Sequence, residues 1–368
     1  MNVLILSTNT GQGHNSCAQA LEETFKKHGD RCEIKDVLAY VSPKVSDLVG
    51  KCHVKIYRHA AWSNKAGYEF SEKHPVVFNK NSPVYAIFMK GARKLAAYID
   101  EQGFDAVLTC HVFGGIILTQ AKEICSTGFK TGSVSTDYTC SPGIAQSSLD
   151  HYFIPHGSLK DEFISAGVAP ESIHAAGLPV RGDFFRSADK NRAKKALGIN
   201  ADQRHLIVMC GSMGGGPVYE LTEEIAKIPG ENVQVSVICG TNGNLKKKIE
   251  KKFAENKNLH AYGYVGNMSA FMDSADLFLT KPGGISVTEA AVKGLPMVFV
   301  NSVSGCEDHN FKYFIGSGGA LSAKKHKDIA ALCMQLIHDD AKLSSMSAAL
   351  KRSVPDAAAE TIYRTLSV

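Results

Sequence analysis

At 368 residues the chain has material for two cores, and 44% hydrophobic residues with 21% charged ones place it among globular proteins. Ten cysteines lie scattered without C-x-x-C or Cys/His ligand spacing, which argues against a metal or disulfide framework and for buried thiols in a reducing cytoplasm. The net charge of +5 is mild; no nucleic-acid motif accompanies it, and no apolar run approaches the ~20 residues needed to span a bilayer, so any membrane contact is expected to be peripheral.

The first apolar run, Met1 to Ser7, lacks a basic leader and breaks at Gly11 and Gly13, so it reads as a strand and not a secretory signal. A helical stretch from Ser16 to His28 follows. Between Lys44 and Lys94 cations recur (Lys51, Lys55, Arg58, Lys90) with few acids, and aromatics such as Trp62, Tyr68 and Phe88 lie among them. Cations mixed with aromatics make a membrane-interface composition; the plainer alternative is a helical insertion whose aromatics pack on their own domain. Asp105 to Thr109 and Thr131 to Ser135 then read as buried strands, with a helix from Val112 to Cys125 between them.

After Gly177-Leu-Pro-Val-Arg181 and the charged stretch Asp189 to Lys195, the alternation restarts. Strand-like runs occupy His205 to Cys210, Val233 to Cys239, Leu259 to Tyr262, Leu277 to Thr280 and Met297 to Val300, separated by helical stretches. The pattern predicts an α/β protein of two Rossmann-like domains. Residues 1–180 form the first, 181–200 a linker and 201–345 the second; 346–368 are terminal helices, the last opening after Pro355, that return to the first domain.

Each domain opens with a glycine turn after its first strand: Thr10-Gly-Gln-Gly-His-Asn-Ser16 and Gly211-Ser-Met-Gly-Gly-Gly216. Backbone N–H groups are then expected at the carboxyl edge of a parallel sheet, where such folds bind ligands. Ser16 replaces the third glycine of a dinucleotide fingerprint, with Asp36 the nearest candidate ribose acid, and the second turn lacks the Gly-Lys-Ser/Thr of a P-loop. A third turn is richer. In Thr280-Lys-Pro-Gly-Gly-Ile-Ser-Val-Thr-Glu289 a helix opens from Gly283 and Gly284, with Lys281 before it, Ser286 in its first turn and Glu289 further along. That pattern suits a diphosphate at the helix start and a ribose at the carboxylate, with Glu307 and Asn310 reached by the sugar end. Gly211, Ser212, Met213 and Gly214 are further donor contacts. No D-x-D element is present to hold a metal.

His14, beside two glycines at a helix start, is a candidate general base, because a positive helix end lowers an imidazole's pKa; local capping is the alternative. Asp137 closes another first-domain strand and is expected to orient His14, act as the base itself, or cap its loop. His111 also ends a strand and reads more readily as a loop histidine, placed with Gly11 and Gly13 on the acceptor side.

Taken in order, Gly11-Gln-Gly-His14, Thr136-Asp137-Tyr138, Asp150-His-Tyr-Phe-Ile-Pro155, Gly177-Leu-Pro-Val180, the Gly211 to Gly216 turn, Lys281-Pro-Gly-Gly284 with Glu289, and Glu307 with Asn310 resemble the monogalactosyldiacylglycerol synthase and processive diacylglycerol glucosyltransferase family over nearly the whole chain. The resemblance implies a GT-B architecture, two Rossmann-like domains facing each other across a cleft, with an N-terminal acceptor domain and a C-terminal UDP-sugar domain. It also implies inverting hexose transfer from UDP-glucose or UDP-galactose to a lipid acceptor; the missing D-x-D element adds the expectation of no metal cofactor, and the Lys44 to Lys94 segment that of docking on an anionic membrane surface, on the cytoplasmic face. The chain departs from the family's His-Pro pair at His111-Val112 and from its bulky aromatics at Ser141-Pro-Gly-Ile-Ala145. A UDP-sugar 2-epimerase, an N-acetylglucosaminyltransferase with another acceptor, and a non-catalytic sugar-nucleotide or lipid binder are the alternatives.

Overall fold

The computed structural model describes residues 1–8, 12–59, 82–228, 230, 232–300, 305–355 and 357–368. Two compact units result. The first comprises Met1–Ile56, the described part of Trp62–Gly182, and Pro355–Val368; the second is built chiefly on Asp183–Val354.

In the first unit, β1 (Asn2–Ser7) leads to α1 (Gln12–Lys27), β2 (Arg31–Asp36), α2 (Val37–Val41), α3 (Pro43–His59) and α4 (Pro83–Gln102). There follow β3 (Ala106–Thr109), α5 (Val112–Ile124), β4 (Lys130–Val134), β5 (His151–Phe153), α6 (Lys160–Ser165) and β6 (Ile173–His174). The sheet order is β2-β1-β3-β4-β5-β6 and every pairing is parallel. Strands covered on both faces read as continuous apolar runs; Val3, Leu4, Ile5 and Leu6 of β1 are fully buried. The edge strand β2, Arg-Cys-Glu-Ile-Lys-Asp, is polar enough to face water, which protects the sheet edge.

The second unit runs α7 (Lys190–Ala196), β7 (Arg204–Met209), α8 (Val218–Ala226), β8 (Val233–Ile238), α9 (Gly243–Lys252), β9 (Leu259–Tyr262) and α10 (Met268–Ser274). It continues through β10 (Leu277–Thr280), α11 (Gly284–Lys293), β11 (Met297–Phe299), α12 (Cys306–Gly316), β12 (Ala320–Ser322), α13 (His326–Leu336) and α14 (Asp340–Ser353). Its sheet order, β12-β11-β10-β7-β8-β9, is the doubly wound order, and all pairings are parallel.

The stretch expected to link the domains is divided at Gly182, and α7 is part of the second unit. Asp276 explains the attachment: its buried carboxylate is compensated by Lys190 at 2.8 Å, Lys194 at 3.8 Å and Arg204 at 3.6 Å, and a buried charge without such partners is costly. Helix α14 also stays with the second unit, and only the last helix, α15 (Ala358–Ser367), joins the first. There Tyr363 stacks on His28 with ring centroids 3.8 Å apart, and His28 Nε2 lies 2.8 Å from Glu360. Gly177 permits the close approach: at φ +94° a side chain would be strained, and a Cβ would stand 3.1 Å from Pro355.

Candidate active site

In each sheet the chain changes direction between two adjacent strands, β1 and β3 in the first unit and β7 and β10 in the second. The crevice beyond the carboxyl ends at such a point is where open α/β sheets bind ligands. The candidate residues gather at these two places.

At the first, His14 lies in the opening turn of α1 and Cys110 follows β3. His14 Nδ1 stands 2.8 Å from the Cys110 carbonyl oxygen. A carbonyl only accepts, so Nδ1 carries the proton and Nε2 is left as the basic nitrogen. Burial lowers the imidazole's pKa from its usual value, and the bond to Cys110 offsets only part of that. Desolvation therefore favours the neutral ring. The Thr136 hydroxyl lies 3.2 Å from the same Nδ1 and 3.4 Å from Asp137 Oδ2. Asp137 thus connects to His14 through Thr136, to which the sequence motif Thr136-Asp137-Tyr138 by itself assigns no role. His111 packs edge-on to His14 with centroids 4.7 Å apart, and its own Nδ1 accepts from Phe113 N at 3.1 Å to cap α5. Val112 then fills the first helical position, where proline is favoured; the departure from His-Pro preserves the cap.

Gly13 opens α1 beside this histidine. Gly11 and Trp62 lie outside the described residues. Helix α3 carries Lys51, which is exposed, and Lys55 and Arg58, for which only helical backbone is described. Among the segment's aromatics, Phe88 is buried against Phe113 with centroids 5.5 Å apart, as the plainer packing alternative expects. Exposed Leu48 and Ile87, on α3 and α4, share those helices with exposed Lys44, Lys51, Lys90 and Arg93. Asp36 is occupied as a cap, accepting from Leu38 N at 2.9 Å and from the Ser46 hydroxyl; it does not serve as a dinucleotide's ribose acid.

At the second switch point the turn after β7 is backed by the loop after β8. Thr241 N donates to Ser212 O at 2.9 Å, and Asn242 Nδ2 donates to Gly214 O at 2.9 Å while its Oδ1 caps α9. Any Cβ at Gly214 would stand 2.0 Å from Cys239 O, and one at Gly240 2.0 Å from Ser212 O. Both residues are therefore held to glycine by close backbone approach and positive φ. Gly214 N is spent on Gly211 O at 3.2 Å, so Gly214 shapes the turn and does not offer a donor. Gly211, at φ +81°, starts the turn, and Ser212 and Met213 follow it, half-buried. Gly240 and Asn242 escaped the sequence reading, although Gly240-Thr-Asn-Gly243 before a helix carries a capping signal.

After β10, Gly283 is the N-cap of α11 and has no side chain to cap it. The N–H groups of the first helical turn, including those of Gly284 and Ser286, consequently have no side-chain cap, an arrangement that can receive an anion. Glu289 lies on the same helix, 7% exposed. The turn is braced from α12: Asn310, fully buried, donates from Nδ2 to Pro282 O at 3.0 Å, and Glu307 accepts an ion pair from Lys281. Burial pushes the neighbouring Cys210 thiol up to about 12, so it stays protonated. Among the described residues no group of three or more His, Cys, Asp or Glu side chains could hold a metal ion.

Residues 14–180 match the monogalactosyldiacylglycerol (MGDG) synthase family, and residues 205–361 match the glycosyltransferase family 28 C-terminal domain. The chain carries these two matches one after the other, each over a little under half of its length. It is a hexosyltransferase of the UDP-sugar-dependent class. A processive diacylglycerol beta-glucosyltransferase of Bacillus pumilus is 27% identical over 353 residues, covering 95% of this chain and 90% of that protein. Among solved structures, Acinetobacter baumannii MurG superposes with a TM-score of 0.67 at 14% identity, covering 100% of this chain and 99% of that one. A UDP-GlcNAc 2-epimerase from Neisseria meningitidis, bound to UDP-GlcNAc, gives 0.66 at 13% identity with full coverage of both chains. These two likenesses concern the fold. No helix among the described residues is long and apolar enough to cross a membrane.

Proposed function

We propose that this glycosyltransferase moves glucose or galactose from its UDP-sugar to diacylglycerol, with inversion, at the anionic inner face of the cell membrane. The observation that carries the reading is the state of His14. A half-buried imidazole whose Nδ1–H is held by a backbone carbonyl keeps Nε2 basic, as deprotonation of a neutral lipid hydroxyl requires. Nε2 takes the acceptor proton, the acceptor oxygen bonds to the anomeric carbon, and the electron pair of the breaking C–O bond passes to the diphosphate. The glycine turn before α11 and its first-turn N–H groups stabilise that leaving group, and Glu289 accepts from the ribose hydroxyls. The diacylglycerol acceptor is supported by the likeness to the Bacillus diacylglycerol beta-glucosyltransferase and by exposed Leu48 and Ile87 among cations on α3 and α4.

The test is purified protein with labelled UDP-glucose or UDP-galactose and diacylglycerol in anionic vesicles, with a chelator present in parallel. A glycosyl-diacylglycerol formed equally with and without chelator is the expected product. Turnover of the UDP-sugar without acceptor would replace the reading with an epimerase, and dependence on added magnesium would replace the helix-terminus account of the phosphates.

A further inference from the structure

We propose that Lys281 is a shared cation, paired with Glu307 before the donor binds and transferred to the diphosphate on donor binding, so that phosphate and hexose recognition become one event. The inference rests on the donor-site reading above and adds a coupling to it.

Lys281 follows β10 and its ammonium lies over the glycine turn: Nζ is 3.6 Å from where a Cβ on Gly283 would stand. It is therefore already at the mouth of the anion site made by the start of α11. There it forms an ion pair with Glu307 Oε1, and the two side chains are only 16% and 11% exposed. The other carboxylate oxygen, Glu307 Oε2, is buried and has no hydrogen-bond partner. A buried carboxylate with one oxygen unsatisfied is an uncommon and costly arrangement in a folded protein, and it marks a place for a donor that the protein itself does not supply.

A diphosphate at the glycine turn competes with Glu307 for the ammonium. If Lys281 swings to the phosphate, Glu307 is left as an uncompensated buried charge, which is strongly unfavourable. Hexose hydroxyls donating to Glu307 relieve that cost, and free UDP cannot. The intact donor thus satisfies both members of the pair, whereas the product UDP satisfies one at the other's expense. The consequence is preferential retention of UDP-hexose over UDP and easier product release, a specificity built from an ion pair and not from an additional pocket.

The experiment is calorimetric titration of UDP and UDP-glucose into the wild type, Glu307→Gln, Lys281→Gln and the double variant. Glu307→Gln should tighten UDP fivefold or more while leaving UDP-glucose unchanged or weaker. In the Lys281→Gln background the same change should alter UDP affinity less than twofold, because there is no ammonium to release. Simple charge repulsion between Glu307 and the diphosphate predicts the opposite, an equal or larger effect once Lys281 is gone, and that result would overturn the proposal. So would a parallel loss of both ligands in Glu307→Gln. The double variant replaces the buried pair by two neutral amides, and its thermal melt against the single variants separates misfolding from lost coupling. Failure of the wild type to bind either nucleotide would overturn the donor-site reading itself, and the coupling with it.

Discussion

His14→Ala removes the group whose geometry the first unit is built to hold. The Cys110 carbonyl sits 2.8 Å from Nδ1 and assigns the proton there, so the substitution deletes a correctly protonated base and not merely a side chain. General-base removal costs about 10²- to 10⁴-fold in kcat, or about 3 to 5 kcal/mol of transition-state stabilisation. UDP affinity should stay within about twofold, because the donor groups lie on the other unit's elements, as expected for a loss confined to the transition state. In the wild type, burial lowers the His14 pKa from its ordinary 6.5. The base form therefore persists below that pH, and the acid limb of kcat/KM should fall on the low side of it. Folding follows the same sign: the native ring binds a proton less readily than the unfolded chain, so its contribution to stability is present above the unfolded value and is lost as the pH falls through the folded one. The assay is transfer to diacylglycerol vesicles between acidic and neutral pH. Near-normal kcat in His14→Ala, or an acid limb above the ordinary histidine range, would refute the assignment and move it to Asp137.

Thr136→Val removes the hydroxyl between His14 and Asp137; about 1 kcal/mol, roughly a fivefold fall in kcat, is expected, and an unchanged rate would show that the connection is idle. Glu289→Ala should weaken UDP by about 1.5 to 3 kcal/mol, the range for a hydrogen bond to a charged group, as read by titration calorimetry. Gly214→Ala and Gly283→Ala should separate: the first puts a Cβ 2.0 Å from Cys239 O at φ +60°, whereas the second meets the flexible end of Lys281, Cε at 3.5 Å and Nζ at 3.6 Å, with φ −80°. Thermal melts should show the first well below wild type and the second close to it. Reversing Lys51, Lys55 and Arg58 to glutamate should reduce co-sedimentation with anionic vesicles, at about 1 kcal/mol per lost cation, and leave UDP binding intact; unchanged sedimentation would mark α3 as ordinary solvated surface.

The sequence by itself determined the elements whose signal is local. The buried runs of β1, β3, β7 and β10 are built on consecutive apolar residues, β8 carries valines at alternate positions, and each key turn announces itself by glycines between a strand and a helix. His14, Lys281 and Glu289 could be nominated for the same reason, since a helix start exposes its N–H groups whatever surrounds it. The polar edge strand β2 and the two- to three-residue strands β5, β6 and β12 were not legible, because too few residues lie in each to establish a period. Tertiary structure alone decided what each nominated residue does. In parallel sheets neighbouring strands are separated by whole crossovers, so functional contacts join distant positions. Cys110 sets the tautomer of a histidine 96 residues away, Asn242 supports Gly214 from 28 residues on, and Lys281 meets Glu307 across 26. The chain carries no local mark of these pairings; they exist because burial leaves a polar atom no water, and the fold must bring it a partner.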